Sequence, residues 1–394
     1  MTTRSTELLR VAHAHPGVTR ADAARLLGVG TGAATEIVAR LGLQSLLAEA
    51  PAAPSGARGR PTTVLMPHPL GPLVLAVAIT HEAWRVDVVE LGGRALTSES
   101  APHTPAVAGS PVAGSPTASS PTAGSSPVAS PAWIDVVAAI TAAIGRLSRA
   151  YAGRLRAVGV SVPGTVSPGL RLSASNLGWD EVDLTALWPG PVFVAGNDAT
   201  LAAAAESHRG AARDATVALH LRIEGGLGGA VVDHGKVLVG ARGAAGEFGH
   251  MPFGDPSIAC PCGAHGCWGT AVDGTALARL LDRPAPPDPV TYARRVIAAT
   301  DPASRAAVRE IATGLGRGMA GLVNALDADL VTLGGIGVDL LAAAPDEIDA
   351  AYRAGLMQVH RASPPPVLPA ALGDDGPIAG AAEEAWSRLL PELA

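Results

Sequence analysis

Cys260, Cys262 and Cys267 are the three cysteines of this 394-residue chain, and they fall together in the run Cys-Pro-Cys-Gly-Ala-His-Gly-Cys. His250 stands upstream in Gly-Glu-Phe-Gly-His-Met, and His265 lies inside the cysteine run itself. Three thiolates and an imidazole so spaced are the donor set of a tetrahedral Cys3His zinc site, with Gly263 and Gly266 letting the loop fold back. Three small core residues, or one disulfide with a spare thiol, would leave the clustering of every cysteine unexplained. Four protein ligands leave no open position, so the expected Zn2+ shapes a loop and does no chemistry. Either histidine can supply the nitrogen.

Two further groups have chemical potential. Asn197-Asp198 follows the apolar run Val192–Ala195 and precedes a helical pattern over Ala199–Ser207. Polar side chains at a strand end, before a helix N-terminus, sit at the mouth of a sheet, although capping is their ordinary role there. Gly225–Gly229 is a glycine-rich turn between two strand patterns, which suits either a phosphate cradle or a plain hairpin.

The segments that position these groups alternate between strand and helix periods. Ser5–Ala14, Arg20–Leu27 and Thr31–Leu41 are expected helices, separated by His15-Pro16-Gly17 and Gly28-Val29-Gly30. Gln44–Ala50 and Thr62–Met66 follow as strands of a hairpin. Helix, tight turn, helix and wing make a winged helix-turn-helix. Arg58 and Arg60, spaced by glycine in the wing connection, are placed to reach phosphates or a minor groove.

Beyond the wing, residues 73–96 alternate as strands. A Pro/Ala/Ser/Gly-rich stretch, 102–132, cannot bury a core and is expected to be a disordered insertion. Trp133–Tyr151 reads as an amphipathic helix and Ala157–Val162 as a buried strand. The second half repeats the theme with strands at Ala215–Ile223, Gly229–Val232 and Leu330–Leu333 and helices at Ala306–Leu326 and Ile378–Leu390. The expected organisation is a DNA-binding head over 1–68, a first α/β lobe over 69–190 and a second lobe over 191–394. The last helix is free to return to the first lobe.

Composition narrows the classes. Hydrophobic residues make up 48% of the chain and aromatic residues 3%, so Ala, Val and Leu must fill the core. Residues 1–67 carry a net charge of +3 against −9 for the remainder, a mildly basic head on an acidic body. That balance excludes a protein that coats nucleic acid along its whole length. No apolar run reaches the ~18 residues of a membrane span. The opening Met-Thr-Thr-Arg-Ser-Thr-Glu lacks a secretory signal, and thiolates reserved for metal suit a reducing cytoplasm, which is the expected location.

These segments resemble the ROK family (repressor, open reading frame, kinase). The strongest match is Gly246-Glu247-Phe248-Gly249-His250 followed by Cys260-x-Cys262-Gly263-x-x-Gly266-Cys267. Asn176-Leu177-Gly178-Trp179, Asn197-Asp198-Ala199, Gly225–Gly229 and Leu333-Gly334-Gly335 support it. The resemblance implies an actin-like, RNase H-like two-lobed domain and His250 as the zinc nitrogen. It also implies a sugar site drawing on Asn176, Asn197, Asp198, Glu247 and His250. In the family's kinases the residue at Asp198 is the general base toward a sugar hydroxyl. In its repressors the winged head binds an operator as a homodimer or higher oligomer.

Three departures decide which branch to expect. Family kinases hold nucleotide phosphates with Asp-x-Gly-Gly-Thr, whereas this chain has Ala78-Ile79-Thr80-His81-Glu82. The carboxylate and both glycines are gone, and Glu82 is expected to place negative charge where phosphates would sit. The family's Gly-Cys-x-Glu is Gly266-Cys267-Trp268-Gly269, so one carboxylate grip on sugar is missing. Repressor relatives tend to start the recognition helix with Ser-Arg-x-Thr, but here it reads Gly30-Thr31-Gly32-Ala33. Thr31 and Thr35 are then placed to touch thymine methyls, Glu36 to accept from cytosine and Arg40 to hold phosphate. The expectation is a sugar-responsive transcription regulator, a repressor with a catalytically degenerate sensor. The alternative is an ATP-dependent sugar kinase using Asp198.

Overall fold

The computed structural model describes residues 3–52, 63–103, 131–174 and 177–393. Asn176, Arg58, Arg60 and nearly all of the Pro/Ala/Ser-rich stretch lie outside them.

The chain opens with α1 (Arg4–Ala14), α2 (Arg20–Leu27) and α3 (Thr31–Leu43), followed by the antiparallel pair β1 (Leu47–Pro51) and β2 (Thr63–Pro67). The Thr3 and Thr19 hydroxyls accept the amide N–H of Thr6 and Asp22, each at 3.1 Å, and so start α1 and α2. Gly28, at φ 63°, ends α2 in the left-handed region. The chain bends by 111° between α2 and α3, within the range of helix-turn-helix units. The third helix outruns the expected end at Leu41 and the wing strand starts at Leu47, because the reversal is made at Ser45, φ 56°.

Two five-stranded sheets follow, and they share one topology. The first is built from β3 (Leu73–Ile79), β4 (Ala83–Glu90), β5 (Ala95–Pro102), β6 (Leu155–Val162) and a fifth strand. Helix α4 (Pro131–Ala150) joins β5 to β6. A small sheet of β7 (Thr165–Val166), β8 (Arg171–Ala174) and β9 (Trp179–Asp183) precedes the fifth strand, β10 (Val192–Asn197), and α5 (Asp198–Arg209) leaves from it. The order is β10-β6-β3-β4-β5.

The second sheet uses β11 (Val217–Ile223), β12 (Leu227–Asp233) and β13 (Lys236–Val237). Helices α6 (Gly274–Leu280), α7 (Pro289–Ile297) and α8 (Pro302–Leu326) then lead to β14 (Leu330–Gly335). After α9 (Ile336–Ala343), α10 (Pro345–Gly355) and α11 (Gln358–Ala362) come β15 (Val367–Pro369) and α12 (Gly376–Leu393). Its order, β13-β12-β11-β14-β15, repeats that of the first sheet. In both, three strands run antiparallel, the fourth pairs parallel with the first and the fifth pairs parallel with the fourth.

One boundary moves. Strand β10, assigned from sequence to the second lobe, pairs with β6 as the edge of the first sheet. Its six-residue parallel register leaves no doubt that the first sheet is incomplete without it. The duplicated topology gives the reason: each lobe needs a fifth strand, and β10 is the first lobe's.

Apolar burial explains how the parts adhere. The second lobe closes around Trp268, Met319 and Tyr352, and the first around Trp84, Trp133 and Trp179. A third core joins Leu8, Leu9 and Leu41 of the head to Val74 and Ala76 of β3 and to Ile378, Trp386 and Leu389 of α12. The head therefore shares apolar packing with the first lobe and with the last helix. Among the described residues no single helix is long and apolar enough to cross a membrane.

Candidate functional site

Between the two sheets lies a cavity of about 450 Å3. Its walls come from both lobes: His81, Thr165, Asn197 and Asp198 on one side, Arg222, Glu224, Glu247, His250 and Asp273 on the other. Of the expected ligand residues, the structure brings Asn197, Asp198, Glu247 and His250 together here.

Asn197 and Asp198 divide the labour at the end of β10. Asn197 caps α5 by accepting from the Ala199 and Thr200 amides at 2.9 and 3.3 Å, and its Nδ2 donates to the Gly164 carbonyl at 3.0 Å. Asp198 accepts from the Ala199 amide at 2.9 Å through one oxygen. Burial pushes its carboxyl above the usual range, the Glu247 charge adds to that, and the nearby Arg222 guanidinium opposes it.

Glu247 and His250 are delivered by a segment laid flat on β12. A Cβ at Gly246 would lie 2.1 Å from the Gly229 carbonyl oxygen, and one at Gly249 would lie 2.1 Å from that of Leu227. Only glycine permits that approach, and Gly246 also holds φ 92°. Glu247 reaches across the cavity, where its Oε1 accepts from the Thr165 hydroxyl at 3.2 Å. The two lobes are thus hydrogen-bonded across the gap.

His250, Cys260, Cys262 and Cys267 offer four ligand atoms, all within 4.8 Å of one another. Cys260 Sγ is 3.7 Å from His250 Nδ1, and Cys262 Sγ is 3.7 Å from Cys267 Sγ. Zn–S bonds of about 2.3 Å and Zn–N bonds of about 2.0 Å at tetrahedral angles put such atoms about 3.5–3.8 Å apart. The cluster fits Zn2+, and the cysteines are not bridged as disulfides. Zinc here supplies a cross-link that fixes the loop. His265 is exposed and outside the group, so the nitrogen is that of His250. Next to Cys267, Trp268 is fully buried and its Nε1 donates to the Gly314 carbonyl at 3.2 Å, which roots the loop in the second-lobe core.

The cavity also carries residues that motif reading missed. Arg222, 6% exposed on β11, is paired with Glu224 and donates to the Gly373 carbonyl at 3.3 Å, while its Nε has no hydrogen-bond partner among the described residues. Burial raises the Glu224 carboxyl despite that guanidinium, and Asp198 and Asp374 press it higher. Burial lowers His81, with Glu224 and Glu82 pulling the other way. Asp273 is buried and raised to about 6 by desolvation, although it accepts from the Ala276 amide at 2.8 Å as the cap of α6. The signal was present in Leu219-His220-Leu221-Arg222-Ile223, where two ionisable residues alternate within an otherwise apolar strand.

The β3–β4 turn corrects one expectation. Glu82 is exposed and does not line the cavity, whereas His81 does. The turn is closed by the Thr80 amide donating to the Ala83 carbonyl at 2.8 Å, which swings the next side chain but one outward. The carboxyl group beside Arg222 on the cavity wall is that of Glu224.

On α3, Thr31, Thr35, Glu36 and Arg40 are exposed. The Thr35 hydroxyl donates to the Thr31 carbonyl at 2.8 Å. Arg40 Nη2 donates to the Ser5 hydroxyl at 2.7 Å, so this arginine is partly turned back onto α1.

The ROK family profile matches residues 131–387. This chain belongs to the ROK family. Among curated ROK relatives, the glucokinase of Halalkalibacterium halodurans is 32% identical over 203 residues, covering 45% of this chain and 60% of that one. The xylose repressor of Caldicellulosiruptor bescii is 28% identical over 197 residues, 45% of this chain and 49% of that one. The matched part therefore spans about half to three fifths of these relatives. The crystal structure of a ROK family transcriptional regulator, a homologue of the E. coli MLC protein, superposes with a TM-score of 0.72 at 22% identity. That match covers 99% of this chain and 96% of the other. It shows the fold from the N-terminal helices through both lobes. His250 and the three cysteines are the ROK zinc motif.

Proposed function

We propose that this ROK protein is a sugar-responsive DNA-binding transcription regulator, a repressor whose kinase-like domain senses ligand and transfers no phosphate. The observation that carries the reading is the Arg222–Glu224 pair beside Asp198. Phosphoryl transfer depends on positioning and on neutralising phosphate charge. Here a carboxylate shares the cavity wall with the guanidinium, and the β3 end offers Ile79-Thr80-His81 in place of a glycine cradle.

A neutral polyol suits the same cavity. Asp198 and Glu247 can accept from hydroxyls, the second N–H of Asn197 can donate, and Asn176 is a further expected contact. Zinc would hold His250 so that Nε2 faces the cavity, a positioning task. In the head, the exposed Thr31, Thr35 and Glu36, with Arg40 on a phosphate and Arg58 and Arg60 on phosphates or in a minor groove, would read an inverted repeat as a homodimer or higher oligomer in the cytoplasm. Ligand can shift DNA binding only through unequal affinity for two arrangements of the lobes.

Selection of DNA from a random pool by the zinc-loaded full chain tests this, repeated with D-glucose, D-xylose and N-acetyl sugars present. Enrichment of a two-half-site sequence, altered by one sugar, is expected. Failure to enrich any sequence overturns the reading. A second reading, a ROK sugar kinase with an accessory head, is supported by the place of Asp198 on the cavity wall and by the likeness to a glucokinase.

A further inference from the structure

The head is bolted to the lobes by a buried charge junction at the end of α1. Glu383 of α12, 4% exposed, accepts from His13 Nε2 at 3.0 Å and is paired with Arg209, the last residue of α5. The Gly92 amide donates to His13 Nδ1 at 3.0 Å, and His13 Nε2 lies 3.0 Å from both a Glu383 carboxylate oxygen and Arg209 Nη2. Arg209 Nη2 also donates to the His13 carbonyl at 3.2 Å, and Arg213 Nη2 reaches the Ala14 carbonyl at 3.5 Å. Two guanidinium groups therefore cover the carbonyl end of α1, where helix charge favours cations.

The same α5 begins at Asp198 on the cavity wall. Its twelve residues span about 18 Å at 1.5 Å per residue, so one rigid helix has one end in the cavity and the other on the head. Its flank is meshed with α12: a Cβ at Gly380 would lie 1.9 Å from the Leu201 carbonyl oxygen, so neither helix slides freely past the other. At the cavity end, a Cβ at Gly228 would lie 2.9 Å from the Ala199 side chain, so the start of β12 in the second lobe packs closely on the first turn of α5.

We propose that α5 is the rod by which the state of the interlobe cavity is felt at the head, with Arg209–Glu383–His13 as the joint at its far end. The proposal rests on the reading of the cavity as a ligand site. A ligand that engages Asp198, or changes the spacing of the lobes, displaces the first turn of α5. The close-packed helix carries that displacement to Arg209, and the joint passes it to α1. Arg209 and Glu383 are positioning residues.

The test needs no sugar, so its outcome is separate from the identity of the ligand. Hydrogen exchange of the segment covering α1 is followed in the zinc-loaded full chain, in Asp198→Asn, in Arg209→Gln and in the double variant, with α8 as the control. Asp198→Asn is expected to change α1 exchange about fivefold or more, the lower end of ordinary allosteric coupling, while α8 is unmoved. In the double variant the Asp198→Asn effect disappears, because the joint is already open. An α1 that ignores Asp198→Asn, or effects that multiply independently, would overturn the proposal. If Arg209→Gln does not fold, Arg209→Lys, which keeps the charge and loses the fork, replaces it in the same cycle.

Discussion

Nε2 of His250 lies 3.7 Å from Oε2 of Glu247, while Nδ1 of the same ring faces Cys260. One imidazole thus belongs both to the metal loop and to the cavity wall. With zinc on Nδ1, the other nitrogen is left as a proton donor, directed at a carboxylate or at a ligand oxygen.

Cys262→Ser is expected to lower zinc, measured by atomic emission, from one per chain toward zero. The thermal shift produced by a binding sugar should vanish with it, because the loop no longer fixes His250. A variant that keeps one zinc per chain would contradict the ligand set.

Gly246→Ala should be among the most damaging single changes in the second lobe. The new methyl would meet the Gly229 carbonyl oxygen at 2.1 Å, at a φ of 92° that alanine disfavours. A loss of about 3 kcal/mol or more is expected. An unchanged melting temperature would show that the segment does not lie flat on β12.

Asp273 should make the fold less stable as the solution becomes less acidic. Its carboxyl is raised from 3.8 to about 6 by burial, so the folded chain holds a proton that the unfolded chain has released. Stability from this group is full below 3.8 and declines as pH rises through about 6. Asp273→Asn keeps a capping side chain and removes the decline, which predicts a gain on the order of 2 kcal/mol at pH 7. Denaturation of both proteins at pH 4 and pH 7 checks the sign. A variant less stable at pH 7 than the parent would refute it.

Glu383 behaves in the opposite sense. Burial alone would raise its carboxyl, but the hydrogen bond and charge of His13, followed by the charge of Arg209, hold it at about 2, against an ordinary 4.5. Its contribution is full above 4.5 and is lost as pH falls through about 2. Glu383→Gln should cost about 3 kcal/mol at neutral pH, and the gap should close on acidification. A constant difference across that range would argue against the charge junction.

Much of this was legible in the sequence, for identifiable reasons. The cysteine cluster, the helix-turn-helix punctuation at Gly28 and Gly30, and the apolar strands each follow from local chemistry. Asp198 and Glu247 were found through a motif. Arg222, Glu224 and Asp273 were not, because a strand or cap residue becomes a cavity residue only when another lobe faces it. The joint was hidden for the same cause: His13, Arg209 and Glu383 are remote in sequence, and each alone reads as a polar residue on a helix. The place of β10 in the first sheet depends on pairing with β6, which periodicity cannot supply.

The lobed domain is proposed to sense ligand without phosphorylating it. ADP release by the zinc-loaded chain with magnesium-ATP, across a panel of hexoses and amino sugars, measures this most directly. No sugar-dependent release above background is expected. Turnover with any one sugar, abolished by Asp198→Asn, would contradict it.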